Sequence, residues 1–374
     1  MKRIISLAVM FFCLSFPFVS KANNLSPLIR VKILQTKNLN ISVDGPGEIE
    51  GESVYWKWNT QFYNFGKIKA TDRGIVVKRI PCGNRVRISS NSLIEVNRRR
   101  YRGDILLIEK SPVLEVINEI SLEEYLYGVI RGEIDSTWEE AAVMAQAIAA
   151  RSYALKKIRD NPEKDYHLLN TESDQIYRGY EAEDLLAKLA VDKTYGMVVT
   201  YNGELAEIYY HNCSGGYIAS SRDVWGKELP YLIAKPDKFS KENPYYEWEY
   251  EIKAENLEEI LRKNGISAGK IYDIEVLSYD ESGRVKELKI KYNETKEPLK
   301  LEGKDFRKLV GWDKIKSTLF KVKRKGNSFL FMGKGHGHGV GMSQWGAKKM
   351  AEEGYSYKEI LNFYYPGTKI KKMY

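Results

Sequence analysis

Cysteine and histidine are scarce in this chain, with three cysteines and four histidines among 374 residues. Cys13 falls in an apolar N-terminal stretch, which leaves Cys82 and Cys213 for the rest of the protein. Two cysteines so far apart define neither a disulfide framework nor a metal-ligand spacing. They are free thiols by this reading, with pairing in an oxidising compartment as the alternative. Long apolar runs are also missing: only the N-terminal stretch approaches the length of a membrane span. There is no internal repeat and no low-complexity segment. The glycine-rich stretches lack a following Gly-Lys-Ser/Thr, so no phosphate loop is present. An acidic excess is absent as well, the formal charge being +9.

What is present begins with an export signature. Lys2 and Arg3 make a charged start, Ile4 to Val19 an apolar run, and Ser20-Lys21-Ala22 a small-residue end. Residues 1–22 are therefore expected to be a secretory signal, either cleaved after Ala22 or kept as an anchor. Without Lys2, Arg3 and Lys21 the charge falls to +6. The implied location is the cell envelope, periplasmic or extracellular, with membrane contact only through this segment.

The period of the pattern then divides the chain. Residues 23–110 carry short β-type runs (VKILQ, LNISV, GIVVKRI, NRVRIS, DILLIE) separated by Gly, Pro, Asn and Asp. These predict a β-rich N-terminal domain. The run Arg98 to Arg102 resembles a nucleic-acid patch in composition, but in an exported chain a solvated hairpin turn is the better reading, and no nucleic-acid partner is expected. Residues 111–374 mix helix and strand, with 245–330 as an α+β subdomain inside them. Within this part MVVTYNG and ELAEIYYH read as a strand pair, and a helix is expected near 184–195. The fold class is α+β.

The stretch from Ser121 to Leu155 carries the chemistry. Ser121 and Glu124 form a capping box for one helix, and Ser136 and Glu139 predict a second that starts near Thr137. Asn161-Pro162 ends that second helix at about Arg159. From Ala141 to Leu155 it is apolar nearly all round, which marks a buried helix. Gln146 and Arg151 must then either brace the interior or line a cleft. Glu133 stands in the connection, where the negative end of the first helix raises its pKa and suits it to act as a general acid.

A second constellation is GKGHGHGVGMSQWGAKKM, residues 333–350. Alternating glycines let the backbone bend and approach a ligand closely, and a helix over 342–353, with Gly354 after it, is expected to follow. His336 and His338 stand here, while His211 stands in the other Gly/Ser loop with Ser214, Gly215 and Gly216. A polar ligand surface follows from this reading. Gln175 and Tyr177 join it on the same grounds, and Trp225 and Trp345 offer flat faces that stack on sugar rings. Ser343 and Gln344 fit either that surface or a helix cap and its neighbour. Ser214 near His211 lacks a third partner, so no hydrolase triad is assembled.

Five pieces in series, SLEEYLYGVIRGEI, EAAVMAQAIAARSYAL, DQIYRGY, HNCSGGYIASSRDVWG and GHGHGVGMSQWGAKKM, resemble the stage II sporulation protein D (SpoIID/LytB) family over roughly residues 113–368. The resemblance implies a cell-wall enzyme, a lytic transglycosylase that cuts peptidoglycan glycan strands freed of stem peptides. Its glutamate in a V-x-x-E motif maps onto Glu133. Such chemistry needs one carboxyl group, whereas ordinary glycoside hydrolysis uses two. The other side of the family implies a non-catalytic, wall-binding enhancer of a cell-wall amidase, which would not need Glu133. Two departures stand out. Asp135 occupies the place where relatives often have proline. The cysteine and histidine that bind zinc in some relatives are reduced to His167, so no metal or other cofactor is expected. A third reading, metal held by His336 and His338, predicts stoichiometric metal.

Overall fold

The computed structural model describes residues 26–266, 269–292 and 297–374; the expected export segment, residues 1–22, lies outside them. Alternation decides the first unit. In Leu28–Thr36, residues Ile29, Val31 and Ile33 are buried while their neighbours face outward, as a half-buried strand requires. This strand belongs to a seven-stranded sheet, ordered Leu168–Leu169, Leu28–Thr36, Val113–Ser121, Asp104–Lys110, Arg85–Ser90, Gly47–Gly51, Tyr55–Trp58. A six-stranded sheet, with Leu39–Val43 and Tyr63–Thr71 at its centre, completes the unit.

The β-unit does not stop at Lys110. Val113–Ser121 pairs with Leu28–Thr36 on one side and Asp104–Lys110 on the other, so it is an inner strand, buried almost throughout. It runs directly into helix α1 (Leu122–Glu133) through Ser121, whose hydroxyl accepts the Glu124 N–H at 3.4 Å. The Arg98 to Arg102 run is a hairpin with its turn at Asn97-Arg98, both at positive φ. Arg100 and Arg102 are tied by Glu181 and Glu183, at 2.8 and 2.7 Å.

Helix α2 (Glu140–Asp160) is the hub. Val143, Ala147, Ala150 and Ala154 face the core shared by α1 and the sheets. Ala142, Ala145, Ile148 and Ala149 face a second core. A helix apolar nearly all round is thus buried because it has packed neighbours on both sides. It starts at Glu140 rather than near Thr137: Asp135 accepts the Thr137 N–H and hydroxyl, which closes a turn ahead of the helix. No Ser136 cap forms there, and Ser136 is buried.

After α3 (Leu185–Lys193), capped by Asp184, the strand Met197–Tyr201 pairs with Glu204–Leu205 and Lys369–Lys372. ELAEIYYH is not one strand, because Tyr210–His211 leaves to pair in parallel with Met342–Ser343 while Glu207 donates its N–H to the Tyr231 hydroxyl. The short α4 (Ser221–Trp225) follows. Residues 247–334 gather α5 (Ala254–Lys263), α6 (Gly303–Val310) and two three-stranded sheets around a core of their own, with Trp248, Leu257, Leu288, Phe306 and Phe331 inside. Helices α7 (Gln344–Glu352) and α8 (Tyr357–Tyr364) close the second core against α2. Gly354 follows α7 at positive φ, as expected. Cys82 and Cys213 are both buried and free. Among the described residues no helix is long and apolar enough to cross a membrane.

Candidate active site

Glu133 is the last residue of α1 rather than part of the connection after it. What brings a partner to it is a pair of glycines one turn apart on the same helix. A Cβ on Gly128 would stand 2.7 Å from the Tyr177 ring, and one on Gly132 would stand 2.6 Å from the Ile176 carbonyl oxygen. Only bare backbone lets the 174–180 segment lie this close along α1. The Ile176 N–H consequently donates to Glu133 Oε1 at 2.8 Å. Gln344, from the first turn of α7, hydrogen-bonds the same carboxylate.

The electrostatics of Glu133 follow from its surroundings. Burial raises its pKa from 4.5 to about 7, outweighing the two hydrogen bonds, which pull it down; the nearby Glu172 charge adds to the rise. The direction matches expectation, but the leading cause is desolvation. Tyr125, Tyr153 and Tyr210 lie near enough to feel the Glu133 charge, and all three hydroxyls are held above their ordinary range, first by burial. Asp135, two residues on, is exposed and spent on Thr137, so it is not a second acid of the site. Those bonds hold it below the usual carboxylate range.

Ring contacts extend outward from two neighbours of this carboxylate, Gln344 and Tyr153. Trp345 meets Trp138 edge-on at 5.4 Å beside Gln344. Tyr153 leads by ring contacts to Tyr209 (6.2 Å), then Trp225 (4.4 Å), then His338 (5.1 Å). Trp225 is 41 % exposed, enough to offer a face to a ligand. His211 packs on His338 at 5.5 Å, with its Nδ1 against the Val340 carbonyl at 3.1 Å. Burial lowers all three histidines of the two loops: His338 to about 3, His336 to about 4, and His211 well below its ordinary value. They are neutral at physiological pH. His336 turns away from His338, onto Tyr245 at 5.4 Å. Among the described residues no three His, Cys, Asp or Glu side chains gather as metal ligands would. His167 accepts the Arg30 N–H at 3.0 Å.

Several residues read as ligand-side lie in the interior instead. Gln175 is fully buried; it accepts the Tyr125 hydroxyl at 3.0 Å and donates to Tyr210 at 2.8 Å and the Ala150 carbonyl at 3.2 Å, so it braces α1, α2 and the strand Tyr210–His211. Tyr177 is buried too, and its hydroxyl donates to Asn118 at 2.8 Å. Arg151 makes a buried pair with Glu123 at 2.7 Å and donates to the Val191 and Met197 carbonyls, so its guanidinium is occupied in the interior. Gln146 is buried in α2 with neither end of its amide bonded to protein.

The serines share one polar knot. Ser214 donates to Asp237 at 2.7 Å, and Ser240 links Ser214 and Ser343 at 3.0 and 2.8 Å. Ser343 also caps α7, accepting the Gly346 N–H at 3.2 Å. Ser214 therefore leans on a carboxylate rather than on a histidine, and no nucleophile–base pair exists there. Gly215 and Gly216 form a positive-φ turn where the loop crosses the histidine loop, joined by Cys213 and His336 through bonds of 2.9 and 2.8 Å. Arg284, which the sequence marks only as part of a turn, is buried at this crossing. It donates to the Ser214 and Tyr217 carbonyls at 2.8 and 2.9 Å, and a Cβ on Gly339 would stand 2.3 Å from its guanidinium carbon. Arg284 thus keys the subdomain of residues 247–334 into this crossing, where the Gly337 N–H also donates to the Lys316 carbonyl at 2.9 Å.

Of the expected set, Gln344 reaches the Glu133 carboxylate with Trp345 next to it in α7, while Trp225 and His338 lie further out along the ring contacts that start at Tyr153. Trp138, Tyr153, Tyr209 and Tyr210 were missed. The only signal for the last two was their position directly before His211.

Comparison with known proteins adds a second line. Residues 110–201 match a family model described as stage II sporulation protein, and 219–341 match a domain of unknown function, DUF8618. The chain is 33 % identical to an uncharacterized protein of Brachyspira hyodysenteriae over 74 % of its own length and 73 % of the relative's. It is 30 % identical to the stage II sporulation protein D of Bacillus subtilis, over 68 % and 76 % of the two chains. An amidase enhancer of the same organism is 32 % identical over 65 % of this chain, but only 40 % of that longer protein is spanned.

Proposed function

The chain belongs to the stage II sporulation protein D family, and from that premise we propose that it is a lytic transglycosylase of peptidoglycan glycan strands, exported to the cell envelope, with Glu133 as its single acid and base. The observation that carries this reading is one carboxyl group that holds a proton near neutrality, with Tyr125, Tyr153 and Tyr210 close to it and the Trp138–Trp345 pair beside its partner Gln344. A glycosidic bond to a muramic acid breaks when its bridging oxygen is protonated as the bond to C1 lengthens. Glu133, protonated at the start, gives that proton. The resulting carboxylate then takes the proton from the sugar's own 6-hydroxyl as that oxygen closes on C1. The products are a 1,6-anhydro end and a new 4-hydroxyl, with no water consumed and Glu133 protonated again. Gln344 and the Ile176 N–H stabilise the carboxylate in the middle of this cycle, while burial keeps it basic enough to recover its proton.

Glu172, exposed nearby, is the group that a hydrolytic route would need as a second carboxylate. Products separate the two routes. Full-length protein, wild type and Glu133→Gln, is incubated with stem-peptide-free strands and the ends are weighed by mass spectrometry. Anhydro ends that disappear in the variant are expected; reducing ends would mean hydrolysis. The amidase-enhancer relative favours a second reading, a wall-binding protein that stimulates a cell-wall amidase. No cleavage of any strand together with amidase stimulation would replace the first reading by this one.

A further inference from the structure

A cleft of about 400 Å³ opens beside the end of α1, lined by Arg99, Arg131, Gly132, Arg178, Glu181 and Ala182. Its three guanidinium groups come from separate elements: the 94–101 hairpin, the last turn of α1 and the 174–180 segment. All three arginines are exposed, and among the described residues none has a carboxylate within ion-pair distance. Arg100 in the hairpin and Arg102 just after it differ, since both are paired. Glu181, the one acid in the lining, is already held by the Arg100 Nε at 2.8 Å and the Arg100 N–H at 3.2 Å. Asp135, whose charge lies near Arg131, is spent on Thr137. Three like charges around one concavity repel each other and attract an anion, and a planar guanidinium fork matches the paired oxygens of a carboxylate.

The placement adds to the charge. Gly132, in the wall, directly precedes Glu133, and the Ile176 peptide touches both: its carbonyl lies against Gly132, and its N–H reaches Glu133. We propose that this cleft is a subsite for a carboxylate of the wall polymer, and that the group it takes is the free lactyl carboxylate of a muramic acid without its stem peptide. The inference rests on the reading that a glycan strand lies at Glu133. The chemistry of muramic acid makes the discrimination sharp: a stem peptide is joined through the lactyl carboxyl as a neutral amide, so only the peptide-free sugar offers an anion at that point. Carboxylates also occur along a stem peptide, and the test separates the two sources.

Binding is measured calorimetrically on the full-length Glu133→Gln protein, which does not consume its ligand, with Arg131→Gln/Arg178→Gln added as a pair. Three ligands are compared: peptide-free strands, the same strands with lactyl carboxylates converted to methylamides, and strands bearing stem peptides. The free carboxylate should bind about tenfold more tightly than the methylamide, as expected for charged hydrogen bonds. The arginine pair should erase that preference and its salt dependence while leaving methylamide binding and the melting temperature unchanged. Equal binding of the free and amidated strands would overturn the subsite, as would a preference that survives the arginine changes. Arginine-dependent binding that is tightest for peptide-bearing strands would overturn the lactyl assignment. Cleavage enters none of these readouts, so loss of the catalytic reading would show separately, as wild-type protein that prefers the free carboxylate without cutting.

Discussion

Replacing Glu133 with glutamine should make the folded protein more stable at alkaline pH while abolishing its activity. Burial lifts the folded pKa from 4.5 to about 7, so the folded state holds the proton more tightly than the unfolded chain does. The stability that comes with the protonated carboxyl is fully present below about pH 4.5, and it drains away as pH rises through about 7. Each unit of separation is worth about 1.4 kcal/mol, which puts the loss at about 3 kcal/mol by pH ~8 and at a few tenths near pH ~4. Glutamine carries no charge to desolvate, and its amide oxygen still accepts the Ile176 N–H. Urea unfolding of both proteins, followed by tryptophan fluorescence with Trp138 and Trp345 beside the site, reads the difference directly. The two curves should nearly coincide at about pH 4, with the variant's midpoint higher at about pH 8. An offset that is the same at both pH values would refute the assignment of a half-buried, proton-holding Glu133, and so would a variant less stable at the higher pH.

Further perturbations test the surrounding geometry. Gln344→Met removes a hydrogen bond that lowers the Glu133 pKa, so the alkaline limb of the cleavage rate, where the acid loses its proton, should move to higher pH. Arg151→Met leaves Glu123 buried without its partner and should cost about 3–5 kcal/mol in urea unfolding, part of which Glu123→Gln restores in the double variant. Gly339→Ala puts a methyl at φ +84° into the Arg284 guanidinium, and the expected outcome is a large drop in melting temperature or insoluble protein. Trp225→Ala should leave the melt unchanged and raise KM for glycan strands several-fold with little change in kcat, because an exposed ring is lost without a cavity.

Local pattern carried a good deal of this protein. Alternation in residues 28–110 announced the strands, and Ser121 marked the start of α1. The apolar run from Ala141 to Leu155 required a helix covered on both sides, which α2 is. Glu133 was readable as the one carboxylate held against that pair. These features are local: period, caps and breakers act over a turn or two of chain, so the residues concerned suffice to encode them.

Polar residues beside glycine were the harder part, because two different structures leave the same trace in a sequence. A loop that grips a ligand and two loops that cross each other both need small residues and satisfied polar groups. In this fold Ser214, Ser343, Gln175 and Tyr177 serve the interior, whereas Trp225, in ring contact with His338, keeps an exposed face. The β-unit ran past Lys110 for a related reason: an inner strand is identified by partners on both edges, and those partners lie far away in the chain. By itself the sequence determined that one glutamate would stand just beyond the C-terminus of a helix, next to a buried one. Only the tertiary structure decided that its pKa is raised mainly by desolvation. That environment is assembled from Ile176, Tyr210 and Gln344, which lie far along the chain from Glu133, and no local pattern records what a buried face is buried against.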